Sequence, residues 1–138
     1  MTLTHYIGGA EIEGTSGRAQ DVFNPATGAV IDQVPLASTA EVDKVVAVAS
    51  AALPGWAATP AAKRAQVMFN FRQLILDNVK DLATLISSQH GKTIDDAMGA
   101  VARGVEVVEF ACGIPNALKG EFSRQVAGGV AVFSMLSV

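Results

Sequence analysis

The sequence predicts a helix-rich chain, with β structure at its N-terminus and about four amphipathic helices after it. Short alternating runs separated by Gly- and Pro-containing turns occupy residues 3–36. Apolar residues then recur at helical spacing from residue 38 to residue 112. A final apolar run over residues 128–138 has the composition of a strand, but no candidate strand follows it. We therefore expect the chain to end on an unpaired strand, in the middle of a fold.

Composition and charge exclude several classes of protein. Half of the residues are hydrophobic and 17% are charged, which is typical of a globular chain and not of a disordered one. The net charge is −3 and no basic stripe is present, so we expect no nucleic-acid partner. A single cysteine excludes an internal disulfide and suits a reducing compartment. Without a signal-peptide pattern or a run of ~18 apolar residues, the expectation is a cytoplasmic protein with no membrane partner.

The N-terminal β structure is predicted from turns and alternation. Gly8 and Gly9 separate two short strand-like runs, residues 3–7 and 10–13, as in a hairpin with a two-residue turn. The segment 24–28, Asn-Pro-Ala-Thr-Gly, is a strong turn signal. After it, Val30 and Val34 lie two residues on either side of Asp32, which predicts a strand with one buried face.

Three helices follow, each with a recognisable boundary. Ser38 and Glu41 have capping-box spacing, and Pro54-Gly55 is predicted to end the first helix. Pro60 is predicted at the first position of the second helix, and Gly91 ends the third. The apolar stripes are predicted to face the core; they are Val42, Val45, Val46, Ala49 and Leu53, then Val67, Met68, Phe71, Leu74 and Ile75, then Val79, Leu82, Ala83 and Ile86.

The fourth helix has the clearest start and end. Thr93 is predicted to cap it, with Asp96 at capping-box spacing and acidic charge at the positive end of the helix dipole. Gly113 and Pro115 are predicted to stop it. Its predicted apolar stripe consists of Ile94, Ala97, Val101, Val105, Val108 and Cys112.

Arg103 is the charged residue of this helix with the strongest claim to a function. It lies two positions from both Val101 and Val105, so its side chain is predicted to point away from the stripe. Glu106 follows three positions later, and the simplest interpretation is a solvated Arg–Glu pair on the helix surface.

Few other residues suggest chemistry. His5 and His90 are far apart in sequence, and no cluster has metal-ligand spacing, so no metal is expected. Cys112 falls on an apolar stripe and is interpreted as a small buried hydrophobe, not as a nucleophile. Lys92 is interpreted first as structural and second as an anion contact. From the residues alone, we assign no catalytic or cofactor-binding side chain to the chain.

Several segments resemble a known family. Residues 23–28, Phe-Asn-Pro-Ala-Thr-Gly, are similar to the N-terminal signature of the aldehyde dehydrogenase superfamily, and Trp56 with residues 63–69 continues in the same register. Residues 90–93, 103–112 and 119–121 resemble more narrowly the CoA-acylating methylmalonate-semialdehyde dehydrogenases. The resemblance covers roughly residues 5–126, with departures from the usual pattern such as glutamine at position 89.

This resemblance implies an α/β fold of the aldehyde dehydrogenase type. Residues 1–126 would be the N-terminal part of the NAD-binding domain, and residues 127–138 the truncated start of an oligomerisation strand. The narrower resemblance also implies a reaction. The CoA-acylating methylmalonate-semialdehyde dehydrogenases oxidise malonate or methylmalonate semialdehyde with NAD and pass the acyl group to CoA with decarboxylation, and they are expected to be homo-oligomers. The resemblance places Arg103 on the arginine that holds the substrate carboxylate. The catalytic cysteine and the NAD contacts would lie beyond residue 138, so we expect the chain alone to be inactive and to bind no cofactor.

Two alternatives stay open at this point. The chain could be a non-catalytic interaction module, in which the exposed last strand adds to the sheet of a full-length aldehyde dehydrogenase subunit. It could also be a free-standing helical domain with its own ligand, although no convergent set of polar residues supports that interpretation.

Overall fold

A computed structural model describes residues 3–135 and consists of short antiparallel hairpins around a helical layer. The strands are β1 (His5–Ile7), β2 (Ala10–Ile12), β3 (Ala19–Phe23), β4 (Val30–Pro35), β5 (Phe122–Ala127) and β6 (Val130–Phe133). The helices are α1 (Thr39–Ala58), α2 (Ala61–Asp77), α3 (Val79–His90), α4 (Ile94–Cys112) and α5 (Ile114–Ala117). The predicted fold class, helix-rich with N-terminal β structure, is confirmed.

The two N-terminal hairpins form where the turns predicted them. β1 pairs with β2 across Gly8 and Gly9, which both have positive φ, and β3 pairs with β4 across the 24–28 turn. The predicted buried face of β4 is wrong, because Val30 and Val34 are 52% and 37% exposed. No helix among residues 3–135 packs extensively over this hairpin, so its apolar side chains stay in solvent.

Helix α1 begins as predicted but ends later. The Ser38 hydroxyl accepts from the backbone N–H of Glu41, and the Glu41 carboxylate accepts from the backbone of Ser38, which completes the capping box. The prediction that Pro54 ends the helix is wrong: α1 continues to Ala58. A proline so near the C-terminus removes a single hydrogen bond, and the terminal turn is held by Thr59, whose side chain donates to the Gly55 carbonyl at 2.9 Å.

The core of the described chain lies along α4. Both α2 and α3 pack against it. The buried apolar side chains are Ala65, Ala83, Ala97, Val101, Val105 and Val108. Four of these six belong to α4, and they are the central positions of the stripe predicted for it. Arg72 on α2 also pairs with Glu109 on α4, with 2.7 Å between Nε and Oε1.

The predicted core-facing stripes of α1 and α2 are largely exposed, in contrast to that of α4. In α1, no residue is buried, and Val46 and Leu53 are 58% and 56% exposed. In α2, Leu74 is 61% exposed. These predictions were wrong because helical spacing identifies an apolar face but not whether another element of the chain covers it.

No single helix among residues 3–135 meets the length and hydropathy needed to cross a membrane. Taken together, α1 and α2 would meet both criteria, but they are bent by 117° at the break between them.

The predicted start of α2 is off by one residue. Pro60 was predicted at the first helical position, but it is the N-cap, and α2 begins at Ala61.

The joint between α3 and α4 is in contact with the turn at residues 24–28. Gly91 ends α3 as predicted, in the left-handed conformation with φ of +83°. A Cβ atom at Gly91 would lie 2.9 Å from Cγ of Pro25, so the proline ring closely approaches the glycine. Two segments that support the family resemblance therefore meet in space.

The C-terminal strand has a partner, which corrects the prediction of an unpaired strand. β6 pairs antiparallel with β5, and the chain reverses at Gly128-Gly129, where Gly129 has φ of +74°. The polar residues of β5 do not alternate regularly with apolar ones, so no strand was predicted there. The end of the predicted strand, residues 136–138, lies outside the described residues.

Candidate functional site

The candidate site is built on the first half of α4, which is fixed by two polar contacts. The Thr93 hydroxyl accepts from the backbone N–H of Asp96 at 3.3 Å, which confirms the predicted cap. The predicted capping box is not completed, since the Asp96 carboxylate pairs with Lys92, with 2.6 Å between Oδ2 and Nζ. This hydrogen bond and the charge of Lys92, with smaller contributions from Arg103 and His90, lower the pKa of Asp96. Lys92 thus has the structural role that the sequence suggested first.

Arg103 is exposed on the face of α4 opposite the buried valines, as predicted. Its guanidinium lies back along the helix over Gly99, one turn toward the N-terminus. A Cβ atom at Gly99 would be 3.8 Å from Nη1 of Arg103. Arg103 also contributes to the lowered pKa of Asp96, so the positive charge of Arg103 acts on the first turn of α4. The absence of a side chain at Gly99 therefore lets the guanidinium lie close to the helix backbone in the first half of α4.

The predicted surface pair between Arg103 and Glu106 does not form. Among residues 3–135, the salt bridges include Arg72–Glu109 and Lys92–Asp96 but none with Arg103. A guanidinium has five N–H donors in a planar fork, and that fork matches the two oxygens of a carboxylate. With no salt-bridge partner among the described residues, the Arg103 guanidinium is chemically suited to hold a carboxylate.

The remaining sequence candidates do not join this site. His5 lies on β1, and its Nε2 atom is buried with no hydrogen-bond partner, whereas His90 is exposed in the last turn of α3. Within residues 3–135, no three His, Cys, Asp or Glu side chains converge as metal ligands would. Cys112 is free and half-buried at the end of α4, which is less buried than predicted.

A second feature, which the sequence reading missed, is a cleft around Arg64. Its volume is about 260 Å³, and it lies between the end of α1, the start of α2, the end of α4 and α5. Its walls are Trp56, Ala61, Arg64, Ala65, Met68, Ala111, Ile114, Pro115 and Leu118. The Nε atom of Arg64 is buried there without an acceptor. A signal was present, because Arg64 lies four and seven positions before Met68 and Phe71 on the apolar stripe of α2.

The same fold occurs in solved structures of dehydrogenases. A protein assigned as a methylmalonate-semialdehyde dehydrogenase from Sinorhizobium meliloti, solved with NAD, superimposes with a TM-score of 0.92 and 47% identity over 98% of this chain and 28% of its own. The methylmalonate-semialdehyde dehydrogenase of Oceanimonas doudoroffii gives a TM-score of 0.91 and 45% identity over 97% of this chain and 27% of its own. The chain thus has the fold of the corresponding segment of these dehydrogenase structures.

The sequence comparisons identify the family. The profile of the aldehyde dehydrogenase family matches residues 12–136. A malonate-semialdehyde dehydrogenase of Pseudomonas aeruginosa is 48% identical over 133 residues, which is 96% of this chain and 27% of that protein. The chain belongs to the aldehyde dehydrogenase family. It spans about a quarter of the length of the curated relatives that it matches.

Proposed function

We propose that this chain is the N-terminal segment of an NAD-dependent, CoA-acylating malonate- or methylmalonate-semialdehyde dehydrogenase. The observation that carries the proposal is the 48% identity to a malonate-semialdehyde dehydrogenase across 96% of the chain. Residues 1–126 form the N-terminal part of the NAD-binding domain, and residues 127–138 begin an oligomerisation strand. The whole enzyme is a homo-oligomer that oxidises the semialdehyde with NAD, transfers the acyl group to CoA and releases the substrate carboxylate as CO2, so that the product is acetyl- or propionyl-CoA.

Arg103 is the residue of this chain to which we assign a substrate role, namely binding the carboxylate of the semialdehyde. Its exposure, its position beside Gly99 and its lack of a salt-bridge partner among residues 3–135 support this role. Because the carboxylate does not take part in the oxidation, holding it orients the aldehyde end toward groups supplied by the rest of the enzyme.

NAD and CoA belong to the whole enzyme in this proposal. The S. meliloti structure, which was solved with NAD, supports NAD as the oxidant. CoA follows from the subfamily resemblance. The chemistry needs an activated thiol and an oxyanion hole. Cys112 is half-buried at the end of α4, and we do not assign it that role.

The direct test is a chimera in which residues 1–126 replace the matching segment of the P. aeruginosa relative. The chimera is expected to form NADH from malonate semialdehyde, NAD and CoA. Arg103→Gln is expected to raise KM for the semialdehyde by about tenfold or more, because a charge-assisted hydrogen bond contributes roughly 1.5–3 kcal/mol. Propanal, which has no carboxylate, serves as the control substrate, and its KM is expected to change little.

Lys119→Gln supplies the matched control variant, since it also removes one exposed cation from the chain. If Arg103→Gln altered KM equally for both aldehydes, the carboxylate role would be wrong. The 138-residue chain alone is expected to form no NADH under the same conditions. Detectable NADH from it would contradict the division of roles between this segment and the rest of the enzyme.

A second function, that of a non-catalytic module pairing with a full-length subunit, is favoured by the β5–β6 hairpin. All residues of both strands are exposed, so their backbone edges are available to a neighbouring sheet. The test is co-purification of the tagged chain with full-length S. meliloti enzyme. No binding at micromolar concentration would remove this alternative.

A further inference from the structure

Lys92, Asp96, Gly99 and Arg103 follow one another along one face at the start of α4. Positions three and four apart are neighbours on a helix surface, and the spacings here are four, three and four residues. At one end of the row, Nζ of Lys92 lies 2.6 Å from Oδ2 of Asp96. At the other end, the Arg103 guanidinium lies back over Gly99, where a Cβ atom would be 3.8 Å from Nη1. This face therefore carries a carboxylate between two cations.

The Asp96 carboxylate is a potential competitor of the substrate. Asp96 lies three residues before Gly99, which is about 4.5 Å along the helix axis. No side chain at Gly99 separates it from the Arg103 guanidinium. Asp96 has the same kind of charge as the substrate carboxylate that Arg103 is proposed to bind. An unpaired carboxylate at this position would weaken the attraction of Arg103 for the substrate and would repel the substrate itself.

Lys92 is placed to offset the charge of Asp96. The Lys92 side chain is 19% exposed and that of Asp96 is 59% exposed, so the cation is the more enclosed partner. The Ser87 hydroxyl also donates to the backbone carbonyl of Lys92 at 2.8 Å, which fixes the backbone from which this side chain extends. With Asp96 engaged by Lys92, Arg103 has no salt-bridge partner among residues 3–135.

We propose that Lys92 is a positioning residue for the semialdehyde carboxylate, because by pairing with Asp96 it keeps the face of α4 beside Arg103 net positive. The inference rests on the proposed function, in which Arg103 binds that carboxylate. Neither Lys92 nor Asp96 touches the substrate in this account, and both act through the charge that surrounds Arg103. A bridge that only stabilised the start of α4 would have a different signature, since loss of either partner would then have the same effect.

The test uses the active chimera that carries residues 1–126 of this chain. Lys92→Gln leaves Asp96 unpaired and is expected to raise KM for malonate semialdehyde about threefold or more, with little change in kcat. Asp96→Asn breaks the same bridge but leaves the cation, so it is expected to lower KM. The double variant restores the net charge of the face, and its KM is expected to lie within about 1.5-fold of that of the unchanged chimera.

Two controls isolate the charge beside Arg103. Lys119→Gln also removes one cation and is expected to change KM by less than about 1.5-fold. Propanal has no carboxylate, so its KM is expected to change little in every variant. Both single variants of the bridge lose the same contact, and a shared loss of stability cannot produce opposite changes in KM. Equal increases in KM from Lys92→Gln and Asp96→Asn, or a double variant as impaired as Lys92→Gln, would overturn the inference.

The same measurements distinguish this inference from the proposed function. A chimera that forms no NADH, or in which Arg103→Gln leaves KM for malonate semialdehyde unchanged, would overturn the proposed function and the inference together. An increase in KM with Arg103→Gln but none with Lys92→Gln would overturn the inference alone. Opposite changes in KM from Lys92→Gln and Asp96→Asn, with recovery in the double variant, would support both.

Discussion

The helical layer of α2, α3 and α4 and the β5–β6 hairpin place similar side chains in opposite surroundings. On α4, Val101 and Val105 are 8% and 7% exposed. In the hairpin, Val130 and Val132 are 48% and 51% exposed. The two strands of the hairpin pair with each other, yet no other element packs extensively over them among residues 3–135. An isolated two-stranded hairpin is marginally stable at best, so the layer is expected to supply most of the stability of this chain.

Introducing a charge into the buried layer is expected to give the largest loss of stability. Val105→Asp is expected to cost more than about 4 kcal/mol, because it desolvates a carboxylate within the layer. Val132→Asp makes the same change on the exposed hairpin and is expected to cost less than about 0.5 kcal/mol. Urea unfolding followed by circular dichroism measures both. Equal losses from the two substitutions would mean that the hairpin is packed as tightly as α4.

A smaller effect is expected at the joint that begins α4. Gly91→Ala adds a Cβ to a residue with φ of +83° and places it 2.9 Å from Cγ of Pro25, so we expect a loss of about 2 kcal/mol or more. Gly28→Ala is the control, with φ of +72° and no atom within 4 Å, and is expected to cost about 1 kcal/mol. If Pro25→Ala did not relieve part of the Gly91→Ala loss in a double-mutant cycle, the steric explanation would be wrong.

The start of α1 tests whether polar contacts can stabilise a helix that buries no side chain. Ser38→Ala is expected to cost about 1 kcal/mol by removing the cap. Hydrogen bonds from Ser38 and Thr15 lower the pKa of Glu41 from 4.5 to about 2. Because the pKa of Glu41 is lower in the folded state than in the unfolded state, its ionised carboxylate stabilises the fold above pH 4.5. This contribution is lost as the pH falls toward 2. Acid titration of Glu41→Gln should show a flatter stability profile over that interval than the unchanged chain, and an equally steep profile would contradict the stabilising role of Glu41.

The smallest effect is expected within the hairpin. The rings of Phe122 and Phe133 lie 4.7 Å apart, and such a pair contributes about 0.5–1.5 kcal/mol. Phe133→Leu is therefore expected to speed hydrogen exchange of β5 and β6 while leaving the urea midpoint of the helical layer unchanged. Phe69→Leu, on the exposed part of α2, is the control and should not affect the hairpin. A shifted midpoint with Phe133→Leu would mean that the hairpin and the layer unfold together.

Local signals in the sequence predicted the starts of α1 and α4 and the exposed position of Arg103. Caps such as Ser38 and Thr93 act within three residues, so their effect can be read directly from spacing. The exposure of α1 and the orphaned donor of Arg64 could not be predicted in this way. Both depend on which distant segment covers a surface, and periodicity carries no information on that. The partner of β6 was missed for a local reason, because β5 lacks strand-like alternation.

The contact between Pro25 and Gly91 also implies that part of the fold forms late during protein synthesis. The two residues are 66 positions apart, and the contact needs both the turn and the αL end of α3. A ribosome adds about 5–20 residues per second, so the turn is made, and leaves the ribosome, roughly 3–13 s before its partner does. During that interval, the 24–28 turn cannot pack against the joint between α3 and α4. Nascent chains halted just before and just after residue 91 has emerged should therefore differ in how readily a protease cleaves the 24–28 turn.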